Sequence, residues 1–354
     1  MKVFLAIDSF KGCLTSAEAE EAVAAALEGR GVDCVKLPMS DGGDGMLDAF
    51  ASAMNARTVE VRVLDPLLRP ITARYAIAPD GTAIIETAQA CGLHLMSSEE
   101  RRPLVATTYG VGELVAHALK AGCRRFIIGL GGSGTSDCGR GMLQALVQIF
   151  AKGETIDRVL EMPALRECRF TLASDVRNPL YGAEGAAAVY GPQKGATAEA
   201  VATLDRQARL FAEMSARHFG RDCSQLPGAG AAGGLGYAFM EYLGAEVTSG
   251  ADLLLDLLDF DSMLTEDTVV ITGEGHADRQ TLMGKLPERV LRRAAKHGVP
   301  TVLLAGRVDD REALLQAGFH RVECITPADM PTEEALKPKT AKDNLRCWVL
   351  SVGC

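Results

Sequence analysis

Short apolar runs of β type alternate along this chain with stretches of helical period, and several of the runs end in a carboxylate. Strand-like runs are read at 3–8, 34–39, 58–64, 71–78, 82–88, 125–131, 170–176, 268–274 and 301–306. Helical stretches are read near 16–29, 43–55, 110–120, 139–150, 197–218, 233–243, 286–297, 310–317 and 332–349. Between 197 and 218, Val201, Leu204, Ala208 and Phe211 recur at three-to-four spacing, which is one face of a helix. Thr15 with Glu18 carries the signature of a capping box. Alternation of this kind calls for α/β layers with a largely parallel sheet. The segment 58–88 breaks the pattern. Its strand-like runs follow one another across LDPLLRP and PDG, both turn signals, so antiparallel pairing is expected and a second domain is expected to begin near residue 65.

A length of 354 residues suits about two domains. Hydrophobic residues at 47 % and charged residues at 23 % describe a packed globular chain rather than a disordered one. The formal net charge of -9 argues against a general nucleic-acid or anionic-membrane binder, which carries the opposite sign. Ten cysteines are spread through apolar stretches with no C-x-x-C pair and no Cys/His ladder of zinc spacing, the usage of a reducing compartment. The opening MKVFLAID is too short an apolar run for a signal peptide, and no run approaches the ~20 residues of a membrane span. A cytoplasmic location is expected, with the chain a monomer or homodimer.

In open α/β sheets ligands bind beyond the carboxyl ends of the strands, so the residues that follow each apolar run matter most. They are Asp8-Ser9-Phe10-Lys11, then Ser40-Asp41-Gly42-Gly43-Asp44-Gly45, then Gly131-Gly132-Ser133-Gly134 leading to Asp137, then Asp175 with Asn178, and then Gly273-Glu274-Gly275-His276-Ala277-Asp278. Any one of these reads most simply as a turn, because turns favour Asp and Gly. Asp44 fits the N-cap of the helix near 43–55 better than a catalytic role. Five in one chain point to more. Glycine lets backbone N–H groups approach phosphate oxygens, and carboxylates can hold Mg²⁺ or accept a hydroxyl proton. Phosphoryl transfer needs those parts together with cations. Lys11, Lys194 and Lys285 stand in glycine-flanked loops, although most lysines are simply solvated. No P-loop is present, since Gly284-Lys285 is followed by Leu286. G-x-G-x-x-G occurs twice, at Gly129–Gly134 and Gly228–Gly233, which makes it weak evidence for a nicotinamide oxidoreductase. H-E-x-x-H and G-x-S-x-G are both absent.

Taken in order, these stretches resemble the bacterial glycerate kinase family, of the glycerate 2-kinase type, over essentially the whole chain. The resemblance is carried by Asp8–Lys11, Leu37–Gly45, Gly129–Ser133, Asp175–Leu180, Tyr190–Ala196, Pro227–Gly234 and Thr272–Lys285. It implies two intertwined α/β domains: a flavodoxin-like parallel-sheet layer from 1–64 and 265–354, and an inserted mixed-sheet α/β domain from 65–264. It implies ATP, Mg²⁺ and glycerate as ligands, with phosphorylation of D-glycerate to 2-phosphoglycerate favoured over the 3-phospho product. Asp175, Asp278 and Lys11 are the expected catalytic residues. Asp8, Ser9, Arg177, Asn178 and Glu274 are expected to bind substrate. Gly131, Gly132, Ser133, Lys194 and Lys285 are expected to bind nucleotide, and Asp41 and Asp137 the metal. The cation meeting the substrate carboxylate is Lys11 or Arg177, and the proton acceptor is Asp175 or Asp278. All are expected to share one cleft. His276 stands where the family has Arg, which removes a guanidinium fork. A non-catalytic regulator binding a sugar acid is the remaining alternative.

Overall fold

The apolar runs at 3–8, 268–274 and 301–306 form the centre of a five-stranded parallel sheet in the computed structural model, which describes residues 2–43 and 45–351. Its strands are β1 (Lys2–Ile7), β2 (Asp33–Lys36), β9 (Thr268–Ala277), β10 (Thr301–Val308) and β11 (Arg321–Cys324), in the order β11-β10-β9-β1-β2. Counted within the sheet this is 2-1-3-4-5, the flavodoxin-type order, whose switch point lies between β1 and β9. β1 reads as an unbroken apolar run because both of its faces are covered. On one face Leu5 and Ile7 join Val23 and Leu27 of the helix Ser16–Glu28 and Leu345 of the helix Pro338–Ser351. On the other face of the sheet, Leu303 and Ala305 of β10 pack with Leu291, Leu314 and Phe319.

The second sheet is mixed, as the turn signals in 58–88 require. It comprises β3 (Arg57–Leu64), β4 (Pro70–Ile77), β5 (Thr82–Glu86), β6 (Arg125–Gly129), β7 (Arg169–Ala173) and β8 (Glu246–Thr248), in that order. β3, β4 and β5 pair antiparallel, and β5 through β8 are parallel. Its core includes Phe126 stacked on Phe170 at 4.7 Å.

The chain divides into one unit up to Asp41 and from Ala251 onward, and a second from Gly42 to Gly250. The junctions thus differ from those read at 64/65 and 264/265. β3 pairs along its whole length with β4 and so belongs to the inserted sheet, and the helix Gly250–Leu257 begins the return. Thr15 and Glu18 form the expected capping box. Asp44 lies outside the described residues, and the helix Met46–Ala53 follows Gly45 at φ +82. The helix expected over 332–349 is two, Thr332–Ala335 and Pro338–Ser351, because Pro338 cannot supply an interior N–H and opens the second instead. Among the described residues, no helix is long and apolar enough to cross a membrane.

Candidate functional site

Two sets of strand-end residues result, one in each unit. In the first unit Asp8 stands immediately beyond β1, its N–H donating to Gly273 O at 2.9 Å. One carboxylate oxygen accepts the Ser9 N–H at 2.7 Å. The Asp8 carboxyl is pushed up to about 7, first by loss of hydration and then by the like charge of Asp41. Glu274 adds to this, while the Ser9 N–H and Lys11 act in the opposite direction. Glu274 is nearly buried on β9. Its Oε1 accepts from Thr281 Oγ1 at 2.6 Å, and Lys285 Nζ lies 3.3 Å from Oε2. His276, two residues on, shares a 2.9 Å bond with Asp309. That bond, followed by Arg307, holds the Asp309 carboxyl below its usual range.

These groups line a cavity of about 680 Å³. At the ends of β1, β2, β9 and β10 it is polar, with Asp8, Lys11, Asp41, Glu274, His276, Lys285, Arg307 and Asp309. Beyond β11 it is apolar, with Ile325, Pro327, Ala328, Met330 and Leu336. Its size falls in the range of small-molecule sites, and its place is the one the flavodoxin-type order singles out. Arg307 and Asp309 were missed in the sequence, although the rule that found Asp8, applied to the run 301–306, points to them.

Asp278 does not line this cavity. Its Oδ1 accepts the Gln280 N–H at 2.7 Å and its own N–H donates to Thr281 Oγ1 at 3.0 Å. It caps the short turn Arg279–Leu282 through Oδ1, as Asx side chains do wherever the backbone offers free N–H groups, and a proton acceptor at 278 stays a proposal.

In the second unit the loops after β6 and β7 come together with the glycine-rich segment 228–234. Asp137 accepts from Thr108 N at 2.8 Å, Thr108 Oγ1 at 3.0 Å, Gly139 N at 3.0 Å and Gly141 N at 3.1 Å. Both oxygens thus serve the start of the helix Arg140–Phe150 and the Thr107–Thr108 turn, and the expected metal would have to compete with these donors. Lys194 is 3 % exposed and donates to Ser133 Oγ at 3.1 Å and Thr135 O at 2.7 Å. Burial pushes its ammonium group down to about 8, against smaller opposite effects of Cys91 and Asp137. Two of its three N–H donors thus clip the Gly131–Thr135 loop from within.

The glycines of that loop have mostly steric reasons. A Cβ on Gly131 would lie 2.2 Å from Gly43 Cα, and one on Gly233 2.0 Å from Thr135 O. Gly134 N–H donates to Cys91 O at 2.7 Å and Gly132 O accepts from Leu93 N at 2.8 Å. Gly132 itself is exposed at φ +69. Asn178 is held by Tyr190 Oη at 2.7 Å and by its own bond to Glu184 O at 2.8 Å, so it shapes the loop. Asp175 is partly buried just past β7, and Arg177 is exposed.

Among the described residues no three His, Cys, Asp or Glu side chains are gathered as an all-protein metal centre. The pair Asp8 and Asp41 nevertheless fits a hard cation. The like charge of Asp41 raises the proton affinity of Asp8, a repulsion that a divalent ion would relieve, and Mg²⁺ is commonly held by one or two carboxylates plus phosphate oxygens and water.

Comparison with known proteins agrees with this architecture. The model of the family described as "Glycerate kinase family" matches residues 3–352. A Bacillus subtilis glycerate kinase is 40 % identical, over 97 % of this chain and 96 % of its own. An Escherichia coli protein named glycerate 2-kinase is 36 % identical, over 98 % and 95 %. The crystal structure of a candidate glycerate kinase 2 from Salmonella typhimurium LT2 superposes with a TM-score of 0.80 at 36 % identity, covering 99 % of this chain and 96 % of that one. A family match over nearly the whole length, with relatives above a third identical, establishes that this chain belongs to the glycerate kinase family.

Proposed function

We propose that the protein transfers the γ-phosphoryl group of ATP to the 2-hydroxyl of D-glycerate in the cytoplasm, with Mg²⁺ as cofactor. The observation that carries the reading is Asp8: a strand-end carboxyl at the flavodoxin-type switch point, pushed up to about 7, beside Lys11 in a cavity of about 680 Å³. A carboxylate with that proton affinity suits acceptance of a hydroxyl proton near neutral pH. Lys11 and Lys285 supply positive charge for phosphate and carboxylate oxygens in the same cavity. Asp41 would hold magnesium together with phosphate oxygens and water, and the ion's chemistry is to neutralise phosphate charge. In the second unit Asp175 remains a proposed participant as a strand-end acid, and Arg177 a proposed carboxylate contact. The 2-hydroxyl is favoured because the Escherichia coli relative is named a 2-kinase.

The test is to incubate pure protein with ATP, Mg²⁺ and D-glycerate, follow ADP, and identify the product by phosphorus NMR. Asp8→Asn is expected to lower turnover ~100-fold or more with an unchanged thermal melt. No ADP from the unaltered protein would sink the reading. Full turnover in Asp8→Asn would move the proton acceptor elsewhere.

A further inference from the structure

We propose that the apolar wall of the cavity in the first unit seats the adenosine of ATP, with Asn344 reading the purine edge. This deepens the kinase reading and rests on it. The charged end of the cavity has its use in that reading, but the wall beyond β11 does not. Ile325, Pro327, Met330 and Leu336 face the same cavity as Lys11. Leu336 keeps 51 % of its surface exposed, an apolar side chain left uncovered beside a polar site. Glycerate, a three-carbon acid with two hydroxyls, has almost no apolar surface to cover such a wall. A purine nucleoside does, and its phosphates would then extend toward the lysine-bearing strand ends.

Asn344 gives the wall chemical specificity. It is 8 % exposed on the helix Pro338–Ser351 and lines the cavity. Its amide donates to Met330 Sδ at 3.6 Å, a weak acceptor readily exchanged for a better one. A carboxamide presents an acceptor and a donor side by side, the complement of the adenine N6 donor and N7 acceptor. A 6-oxopurine presents an acceptor at the first of these positions and mismatches. In the Gly131–Gly134 loop, expected to cradle the nucleotide, Gly131 is packed against the backbone of Gly43 and Gly134 against Met96 and Leu93, all within its own unit.

The experiment uses the full chain and two variants, Leu336→Glu and Asn344→Ala. Binding of ADP is measured by calorimetry, and turnover with ATP and with inosine triphosphate. Leu336 is half exposed, so its replacement leaves the core intact. Leu336→Glu is expected to weaken ADP binding ~10-fold or more, since a carboxylate is desolvated against the base. Asn344→Ala is expected to abolish the unaltered protein's preference for ATP over inosine triphosphate. KM for glycerate should stay within ~2-fold in both, because a seat for the nucleoside alone does not touch glycerate. ADP affinity unchanged in both variants, or a change confined to KM for glycerate, overturns the proposal. If ADP binds as described and no glycerate is phosphorylated, the kinase reading fails while the nucleoside seat stands.

Discussion

Replacing Lys194 by methionine removes a buried ammonium group while keeping most of the side chain's volume. In the native protein that group is 3 % exposed, donates to Ser133 Oγ and Thr135 O, and is pushed down from 10.5 to about 8 by burial. At ~1.4 kcal/mol per pK unit, keeping it charged inside costs the fold about 3 kcal/mol below pH 8. The folded protein releases this proton near pH 8, while the unfolded chain holds it up to its ordinary value of 10.5. Between these values the unfolded state binds more protons, so stability rises with pH. From pH 7 to pH 9.5 the contribution of Lys194 should improve by about 2 kcal/mol. Cys91, whose thiol Lys194 influences, is held up at about 12 and does not titrate in this range, so the difference between the unfolding free energies of protein and variant isolates the effect. Urea unfolding followed by circular dichroism at several pH values measures it, and the difference should climb steadily in favour of lysine. A difference that stays constant across that range would refute the argument that the ammonium group is charged and buried. A variant of unaltered stability at every pH, but with a raised KM for ATP, would instead return Lys194 to the role of a phosphate ligand.

Asp278→Asn should leave turnover within ~3-fold and the melting temperature nearly unchanged, because asparagine caps a turn as well as aspartate; a loss of ~100-fold would restore Asp278 as the proton acceptor. Gly131→Ala should cost roughly 2 kcal/mol or more in thermal stability, since its methyl group would fall 2.2 Å from Gly43 Cα and the backbone must shift to admit it; an unchanged melt would mean the loop is looser than drawn. Asp175→Asn should cut turnover ~10-fold or more while the fold survives, as expected of an acid that takes part in the reaction; full activity would leave Asp175 as a turn residue.

The strand–helix period determined the class of fold from the sequence alone. Each central strand is an apolar run long enough to be buried on both faces, and such runs need no neighbour to be recognised. β8 and β11 escaped because each is short and lies at a sheet edge, with the charged Glu246 in one and Arg321 and Glu323 in the other. Only pairing with β7 and β10 makes them strands. The same limit governed the site. The rule that carboxylates follow strand ends located Asp8, Asp41, Glu274, Asp137, Asp175 and Asp278 without distinguishing them. Tertiary structure distinguishes several of them, because a carboxylate's chemistry depends on what else reaches its oxygens. Asp137 is surrounded by donors and Asp278 caps its own turn through Oδ1, whereas Asp8 meets the like charges of Asp41 and Glu274. Lys194 is read in the sequence as a nucleotide-binding cation in a glycine-flanked loop, and only packing shows it enclosed.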